Sequence, residues 1–256
     1  MLNYIKSELY RTKHRRYSYG FIITCSLIVL LGCIGYWYLG NSFKQDFSMG
    51  HVIYMATQML PAIYFLTLII VDNIFSEEYK HHTLKNTISM GVDRRNIYMG
   101  KFIVEIIYAV ISFIIIIGVL FLSSYFLLGF ETGALGMNTA EIIKWFAVKT
   151  IAIFPILITG IALANFLAFL INNNTYFAFA FVGMMFLPSK IVSILAMFNP
   201  NLGELINILP SHIFDMMPTE GYVAGDIIMR SYIMGIVYVV IFSVVGIILF
   251  KRKEVR

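Results

Sequence analysis

The chain has 256 residues, of which 59% are hydrophobic and only 13% are charged, and its mean hydropathy is +0.81. A water-soluble domain of this length could not cover so much apolar surface with so few polar residues, so the composition excludes a soluble globular protein and indicates a membrane protein. The net charge of +5 does not indicate nucleic-acid binding, because no solvated basic face lies outside the predicted membrane spans.

Residues 1–17 predict an interfacial helix that lies along the membrane surface. Leu2, Ile5 and Leu9 fall on one helical face. The remaining faces carry the basic residues Lys6, Lys13, Arg15 and Arg16. The alternative is a frayed basic leader that only helps to set the orientation of the first span.

Six apolar stretches are long enough to cross a hydrocarbon layer of about 30 Å, which takes roughly 20 residues each. The sequence therefore predicts an all-α polytopic membrane protein with a single transmembrane domain over 1–256. The predicted spans are Tyr19 to Leu39, Val52 to Val71, Phe102 to Leu128, Glu141 to Ile171, Tyr176 to Met197 and Ile227 to Phe250.

The distribution of basic residues predicts the orientation of these spans. Residues 1–17, 75–101 and 251–256 together carry 14 of the 19 lysines and arginines. Basic residues concentrate in short cytoplasmic segments, so we expect both termini and the segment 75–101 in the cytoplasm of a multi-pass plasma-membrane protein. The positive charge also favours contact with the anionic lipids of the bilayer.

Residues 75–101 form a polar segment between the second and third spans, and such a segment must project into water. Ser76 is a predicted N-cap, and Glu77 and Glu78 suit the positive end of a helix dipole. Gly91 predicts a left-handed helix end, and Asp93 predicts the cap of the next helix. We therefore expect a short cytoplasmic helix over 76–91. Its mildly apolar face would carry Leu84 and Ile88 at i, i+4, flanked by Thr83 and Thr87.

Three polar residues within the spans are candidates for a transport path: Gln58, Glu105 and Lys190. Gln58 precedes Pro61, where we expect a kink, and an interhelical hydrogen bond is the alternative use of its amide. Glu105 lies four residues after Lys101, so an intrahelical ion pair is the alternative there. Lys190 is also explained by its ammonium reaching to lipid phosphates.

Residues 199–222 are neither clearly soluble nor long enough to cross the membrane. Two short apolar pieces are punctuated by Pro200, Pro210 and Pro218. This pattern predicts a re-entrant or interfacial helical hairpin at the outer face, with an ordinary surface loop as the alternative.

The chain lacks the motif of a phosphate-binding loop, since Arg95 occupies the position of its first glycine before Gly100 and Lys101. Glu77-Glu78 followed by His82 and Asn86 loosely matches the motifs of intramembrane CAAX-type proteases, although both motifs fall in one exposed segment. A metal site on His81, His82 and the two glutamates is disfavoured, because adjacent histidines on a helix point about 100° apart.

The polar segment and the six-span topology resemble those of ABC-2 type, type V exporter-like, permeases. The resemblance rests on the acidic pair Glu77-Glu78, on Thr83-Leu84, and on Arg94 seven residues before Lys101 of the Gly100-Lys101 pair. His82 stands where the family usually has a glycine. In size and low polarity the chain is similar to permeases of peptide export and self-immunity, including the exporters of phenol-soluble modulins and the lantibiotic immunity transporters.

This resemblance implies that a separate cytoplasmic ATPase docks under the predicted helix and binds ATP and Mg, so that this chain has no catalytic residue, cofactor or metal of its own. The implied contacts with the ATPase are Glu77, Glu78, Thr83, Leu84 and Ile88, with Arg94 and Arg95 as electrostatic guides. It also implies a second permease copy or a related subunit. The aromatic content of 16% favours an amphipathic peptide or a lipid-like molecule as cargo. The rival classes are a CAAX-type membrane enzyme and a sensor or anchor that acts without nucleotide.

Overall fold

The structure is a computed structural model that describes residues 1–44, 47–81, 83–130, 138–171, 173–218 and 221–252. Residues 76–81, 83–84 and 200–201 are described by their backbone alone. The described residues are almost entirely helical. The helices are α1 (Leu2–His14), α2 (Arg16–Phe43), α3 (Met49–Met59), α4 (Ile63–His81), α5 (Thr83–Ser89), α6 (Arg94–Leu128), α7 (Thr139–Leu170), α8 (Asn174–Phe198), α9 (His212–Met216) and α10 (Gly225–Arg252).

Six helical spans are long and apolar enough to cross a membrane, which confirms the predicted all-α polytopic fold. Five of them are the single helices α2, α6, α7, α8 and α10. The remaining span covers Met49–Phe75, and a turn of 3-10 helix at Leu60–Ala62 divides it into α3 and α4. Pro61 lies inside this turn, so the predicted interruption is present, and its cause is the proline, which removes one backbone donor.

Helix α7 lies at the centre of the bundle and packs against α3, α4, α6, α8 and α10. Its small residues Gly160, Ala164 and Ala168 are all buried and allow close approach of neighbouring helices. The approach of α7 to α10 is especially close at Gly235, where an added Cβ would lie 3.0 Å from the carbonyl oxygen of Pro155. Only a residue without a side chain fits this crossing.

The elements divide between two ends of the bundle. We call one the basic end, because it gathers α1, α5, the C-terminal turns of α4 and α10, and the N-terminal turns of α6. Phe169, near the end of α7, joins this end through ring contacts with Phe75 and Phe250. The opposite end holds the end of α2, the start of α3, the end of α6 and residues 199–218 and 221–224, and there the backbone N–H of Met49 donates to the carbonyl of Gly129.

The prediction that a new helix begins at Ser76 is wrong, because α4 continues through this residue to His81 and α5 begins at Thr83. Glutamate is a good helix former within a helix as well as at its start, so Glu77 and Glu78 are compatible with an uninterrupted helix. The other boundaries were predicted correctly. Gly91 has φ +83°, and the side chain of Asp93 accepts a hydrogen bond from the N–H of Arg95 at the start of α6.

Helix α1 covers most of the predicted segment, and Ile5 and Leu9 of the predicted apolar face pack against the core, but the packed face also includes polar residues. Glu8 and Thr12 are buried, whereas Leu2 is 74% exposed. Tyr4 and Ile5 pack against the core, and α6 is the main neighbour of α1. A carboxylate therefore lies on the packed face, and this requires a cationic partner on the neighbouring helix.

Residues 200–216 form two short helices that turn back into the bundle. A 3-10 helix covers Pro200–Ile208 and α9 follows it. The hydroxyl of Tyr238 donates to the carbonyl of Ile208 over 3.0 Å. Tyr238 lies about 20 Å along α10 from Gly225, at 1.5 Å per residue. The two short helices therefore reach from the Gly225 end of α10 toward the middle of that helix. Phe214 also contacts the ring of Tyr64, on α4, edge to face.

Candidate functional site

The candidate functional site is the basic end, where the polar segment 75–101 meets the membrane bundle. Helix α5 is short and ends at Ser89, and the N–H groups of Met90 and Gly91 donate to the carbonyls of Asn86 and Ile88. Two residues after Gly91, Asp93 starts α6. The chain therefore makes a tight reversal between the end of α4 and the beginning of the longest helix in the described structure.

Arg94 attaches this reversal to the last helix. Its Nη1 donates to the carbonyl of Phe250 at 2.7 Å and to that of Lys251 at 3.1 Å, and its guanidinium lies 5.5 Å from the ring centre of Phe250. These carbonyls belong to the final turn of α10, where helix carbonyls lack intrahelical donors and attract cations. Arg94 thus joins the start of α6 to the end of α10.

Arg15 makes a similar attachment between α1, α2 and α4. It is buried in the break between the first two helices, and its Nη1 donates to the carbonyls of Asn73 at 3.0 Å and Ile74 at 2.8 Å. A buried guanidinium that bonds to two carbonyls fixes the position of the α1–α2 corner against the last turns of α4.

A buried ionic cluster lies between α1, α4 and α6, and we call Glu8, Arg11 and Lys101 the inner ion cluster. Glu8 accepts from Arg11 at 2.8 Å, and the ammonium of Lys101 lies 3.7 Å from the same carboxylate oxygen. The ammonium also lies 4.6 Å from the ring centre of Phe75. The Lys101 side chain is fully buried and that of Glu8 is 5% exposed, so their charges interact in a medium of low polarity.

Glu105 is fully buried one turn beyond Lys101. The carboxylate and ammonium of this i, i+4 pair therefore both lie inside the protein, and neither is exposed to lipid. The predicted ion pair between these two residues stays a prediction. Glu8 was not among the site residues predicted from the sequence. The signal that could have identified it is an acidic residue among the basic residues of α1.

The residues predicted to contact an ATPase fall into three groups. The backbones of Glu77 and Glu78 lie on α4 and those of Thr83 and Leu84 on α5, but their side chains lie outside the described part of the structure. Ile88 and Arg94 are only partly exposed, since Ile88 packs against the core and Arg94 bonds to α10. Arg95 is exposed. Met90, which the sequence reasoning did not single out, is 83% exposed at the tip of the reversal.

The three candidates for a transport path do not share one environment. Gln58 is half-buried in the last turn of α3, Glu105 is buried in α6 and Lys190 is exposed on α8. None of them lines the cavities of about 450, 230 and 80 Å³ found among the described residues. Of the residues that match the CAAX-type protease motif, Asn86 is exposed; His82 and the side chains of Glu77, Glu78 and His81, which would also form the disfavoured metal site, lie outside the described part.

At the opposite end, Lys149 anchors the segment that follows α9. The side chain is buried, and its ammonium donates to the carbonyl of Pro218 at 3.2 Å. Trp145, one turn earlier on α7, contacts the ring of Tyr222 edge to face. These contacts attach Pro218 and Tyr222 to the central helix. Lys149 thus serves the packing of the hairpin connection, which explains why a lysine is buried in this span.

In the described residues, six spans long enough to cross a membrane, with α7 buried at the centre of the other five and a charged reversal at one end, define a helical multi-pass membrane protein. A family profile described as ABC-2 family transporter protein matches residues 4–182, which is most of the chain. The chain belongs to this family. It is therefore a membrane permease of an ABC transporter, has no catalytic site of its own, and works with an ATPase that is a separate subunit. A comparison with curated proteins finds no match.

Proposed function

We propose that this permease exports amphipathic peptides or other hydrophobic compounds, and that its basic end faces the cytoplasm and receives the ATPase. The observation that carries the proposal is the continuity of α6. This helix begins at the Asp93 cap beside the reversal and runs for 35 residues to Leu128. At 1.5 Å per residue it is about 52 Å long, well beyond a hydrocarbon layer of about 30 Å. A force applied at the reversal therefore reaches the other side of the membrane through one helix.

The orientation rests on charge. The basic end holds α1, the polar segment and the end of α10, which carry most of the lysines and arginines of the chain. Such segments remain on the cytoplasmic side when spans insert. Both termini then lie in the cytoplasm of a protein in the plasma membrane, and ATP and Mg are bound by the partner subunit.

The proposed docking surface consists of residues 76–81 of α4, helix α5 and the turn to Arg95. Lys85, Met90 and Arg95 are exposed there. On either side of this surface, Arg15 bonds to backbone carbonyls of α4 and Arg94 bonds to those of α10. The surface therefore moves together with α4, α6 and α10. Domain closure of two ATPases would then tilt α6 relative to its neighbours. Two permease copies, or this chain with a related subunit, complete the transporter.

The cargo class rests on composition. The aromatic content of 16% and the apolar outer faces of the bundle suit a substrate that partitions into the bilayer before transport. The similarity in size and polarity to exporters of phenol-soluble modulins and to lantibiotic immunity transporters supports an amphipathic peptide.

The docking proposal is tested by placing the photo-crosslinking amino acid benzoylphenylalanine at Met90. We expect a crosslinked product that mass spectrometry identifies as an ATPase with a phosphate-binding loop. The matched control places the same amino acid at Phe130, which is exposed at the opposite end, and it should yield no such product. Labelling of a cysteine at position 90 by an impermeant reagent from outside intact cells would refute the orientation.

A second experiment separates transport from a sensor or anchor function. The charge reversal Arg95→Glu, combined with Met90→Asp, should abolish co-purification of the ATPase. Lys6→Glu reverses an equally exposed charge on α1 at the same end and should leave it intact. In proteoliposomes, the intact complex should hydrolyse ATP faster when an amphipathic helical peptide is added. Hydrolysis that is insensitive to peptide would refute the cargo class while leaving docking untouched.

A further inference from the structure

We propose that the cavity between α2, α3 and α6 binds one acyl chain of a membrane phospholipid. The cavity measures about 450 Å³. Its walls come from the three helices and from Ile63 and Leu66 of α4, and Leu60 and Phe146 close it toward the centre of the bundle. None of the residues that line it carries a formal charge.

The cavity opens sideways, toward the surface of the bundle that faces the hydrocarbon layer. Ile28 on α2 and Met59 at the end of α3 line it and are 64% and 65% exposed, so they form its rim. On the opposite wall, Cys33 and Leu120 are buried. These two residues pack together with Val52 in a small cluster that holds α2, α3 and α6 together. A molecule therefore enters from the bilayer between α2 and α3.

The volume fits one hydrocarbon chain. A cavity of about 150 Å³ lined by aliphatic and aromatic side chains holds benzene, which has six carbon atoms. By the same ratio a cavity of 450 Å³ holds about 18 carbon atoms, which is the size of one lipid acyl chain.

The chemistry of the walls excludes the other available occupants. Water does not fill an apolar cavity, because it would lose its hydrogen bonds. An extended peptide would leave its backbone N–H and C=O groups without partners, at a cost of several kcal/mol for each group. A helical peptide of about 10 Å diameter is too wide for more than about one turn to enter this volume. An acyl chain needs no polar partner, and the bilayer supplies it at the highest local concentration.

The glycines of α2 provide a matched pair of variants. A Cβ added at Gly32, which lines the cavity, or at Gly35, which does not, would meet nothing within 4 Å. Gly32→Leu therefore fills the cavity, and Gly35→Leu adds the same side chain to the same helix elsewhere. Ala56→Leu fills the cavity independently from the wall formed by α3.

The experiment uses the full-length permease reconstituted into vesicles of phosphatidylcholine and phosphatidylglycerol that contain a phosphatidylcholine with a diazirine on one acyl chain. After irradiation, the labelled residues are mapped by mass spectrometry. We expect adducts on the facing sides of α2, α3 and α6 in the native protein. Gly32→Leu and Ala56→Leu should each reduce them several-fold, while Gly35→Leu should leave them unchanged.

Several results would overturn the proposal. One is labelling of these helices that neither Gly32→Leu nor Ala56→Leu reduces. Another is a loss of labelling with Gly35→Leu as large as that with Gly32→Leu. Stronger labelling of the same residues by a diazirine-bearing amphipathic peptide than by the lipid would show that cargo is the occupant. A thermal unfolding curve for each variant verifies that it is folded. If either Gly32→Leu or Ala56→Leu is not folded, that variant is discarded and the other filling variant decides the outcome.

Discussion

The crossing of α7 and α10 at Gly235 gives the sharpest stability prediction. We consider the change Gly235→Ala, which adds one methyl group. In the native structure that Cβ would lie 2.5 Å from the Cβ of Pro155 and 3.0 Å from its carbonyl oxygen. The carbonyl is backbone and cannot rotate away, so α7 and α10 must separate by several tenths of an ångström. The neighbouring hydrogen bond from Ser231 to the carbonyl of Ala152 would be stretched by the same movement.

The magnitude follows from two opposing effects. Replacement of glycine by alanine within a helix stabilises the helix by about 0.5–1 kcal/mol. Insertion of a methyl group into a packed contact costs about 1–3 kcal/mol. Gly118→Ala is the matched control, because a Cβ at Gly118 of α6 would meet nothing within 4 Å. The helix-propensity effect is common to both variants, so Gly235→Ala should be less stable than Gly118→Ala by about 1–3 kcal/mol.

The assay is thermal unfolding of both purified variants in the same detergent. For a chain of this size a change of 1 kcal/mol shifts Tm by about 2–4 °C, so we expect a difference between the two variants of about 2–12 °C. Equal Tm values would refute the argument, since they would show that α7 and α10 are not in tight contact at this crossing. A Gly118→Ala variant below the native protein would show instead that the propensity effect is absent.

Two further predictions concern the basic end. Arg94→Ala removes charge-assisted bonds to the carbonyls of Phe250 and Lys251, so it should lower the free energy of unfolding by about 1.5–3 kcal/mol and speed hydrogen exchange at the end of α10. Arg95→Ala, which changes an exposed neighbouring arginine, should alter neither the free energy of unfolding nor the exchange rate. Lys101→Met removes this buried cation from the carboxylate of Glu8, which Arg11 still pairs, and should cost about 1–3 kcal/mol by thermal unfolding. The second change Glu8→Leu should recover part of that loss, and a double variant no more stable than Lys101→Met would contradict the pairing.

The number of spans could be predicted from the sequence because the length of an apolar stretch alone decides whether it crosses a membrane. The end of α5 and the beginning of α6 were predictable for a similar reason. Gly91 and Asp93 act on their own backbone or on residues two positions away, so their effect is local. The interruption near Pro61 belongs to the same class, since the missing N–H is a property of one residue.

The faces on which the helices pack could not be predicted, because these helices are apolar on all sides. Nothing in the periodicity of α7 separates the buried helix from α2, whose span is mostly exposed. The contact between Glu8 and Lys101 was missed for another reason: the two residues lie 93 positions apart, and only the packing of α1 on α6 brings them together. The prediction of a helix start at Ser76 was wrong because acidic residues such as Glu77 and Glu78 are compatible with both a helix start and a helix interior.

The central position of α7 has a consequence for biogenesis. The neighbours of this helix come from both sides of it in the sequence, and α10, with which it packs most extensively, follows the other neighbours in the chain. Until α10 is made, the face of α7 around Pro155 and Thr159 that it covers must face lipid or the insertion machinery. A nascent chain truncated before Gly225 would keep that face uncovered, and membrane quality-control proteases would have a recognisable defect to act upon.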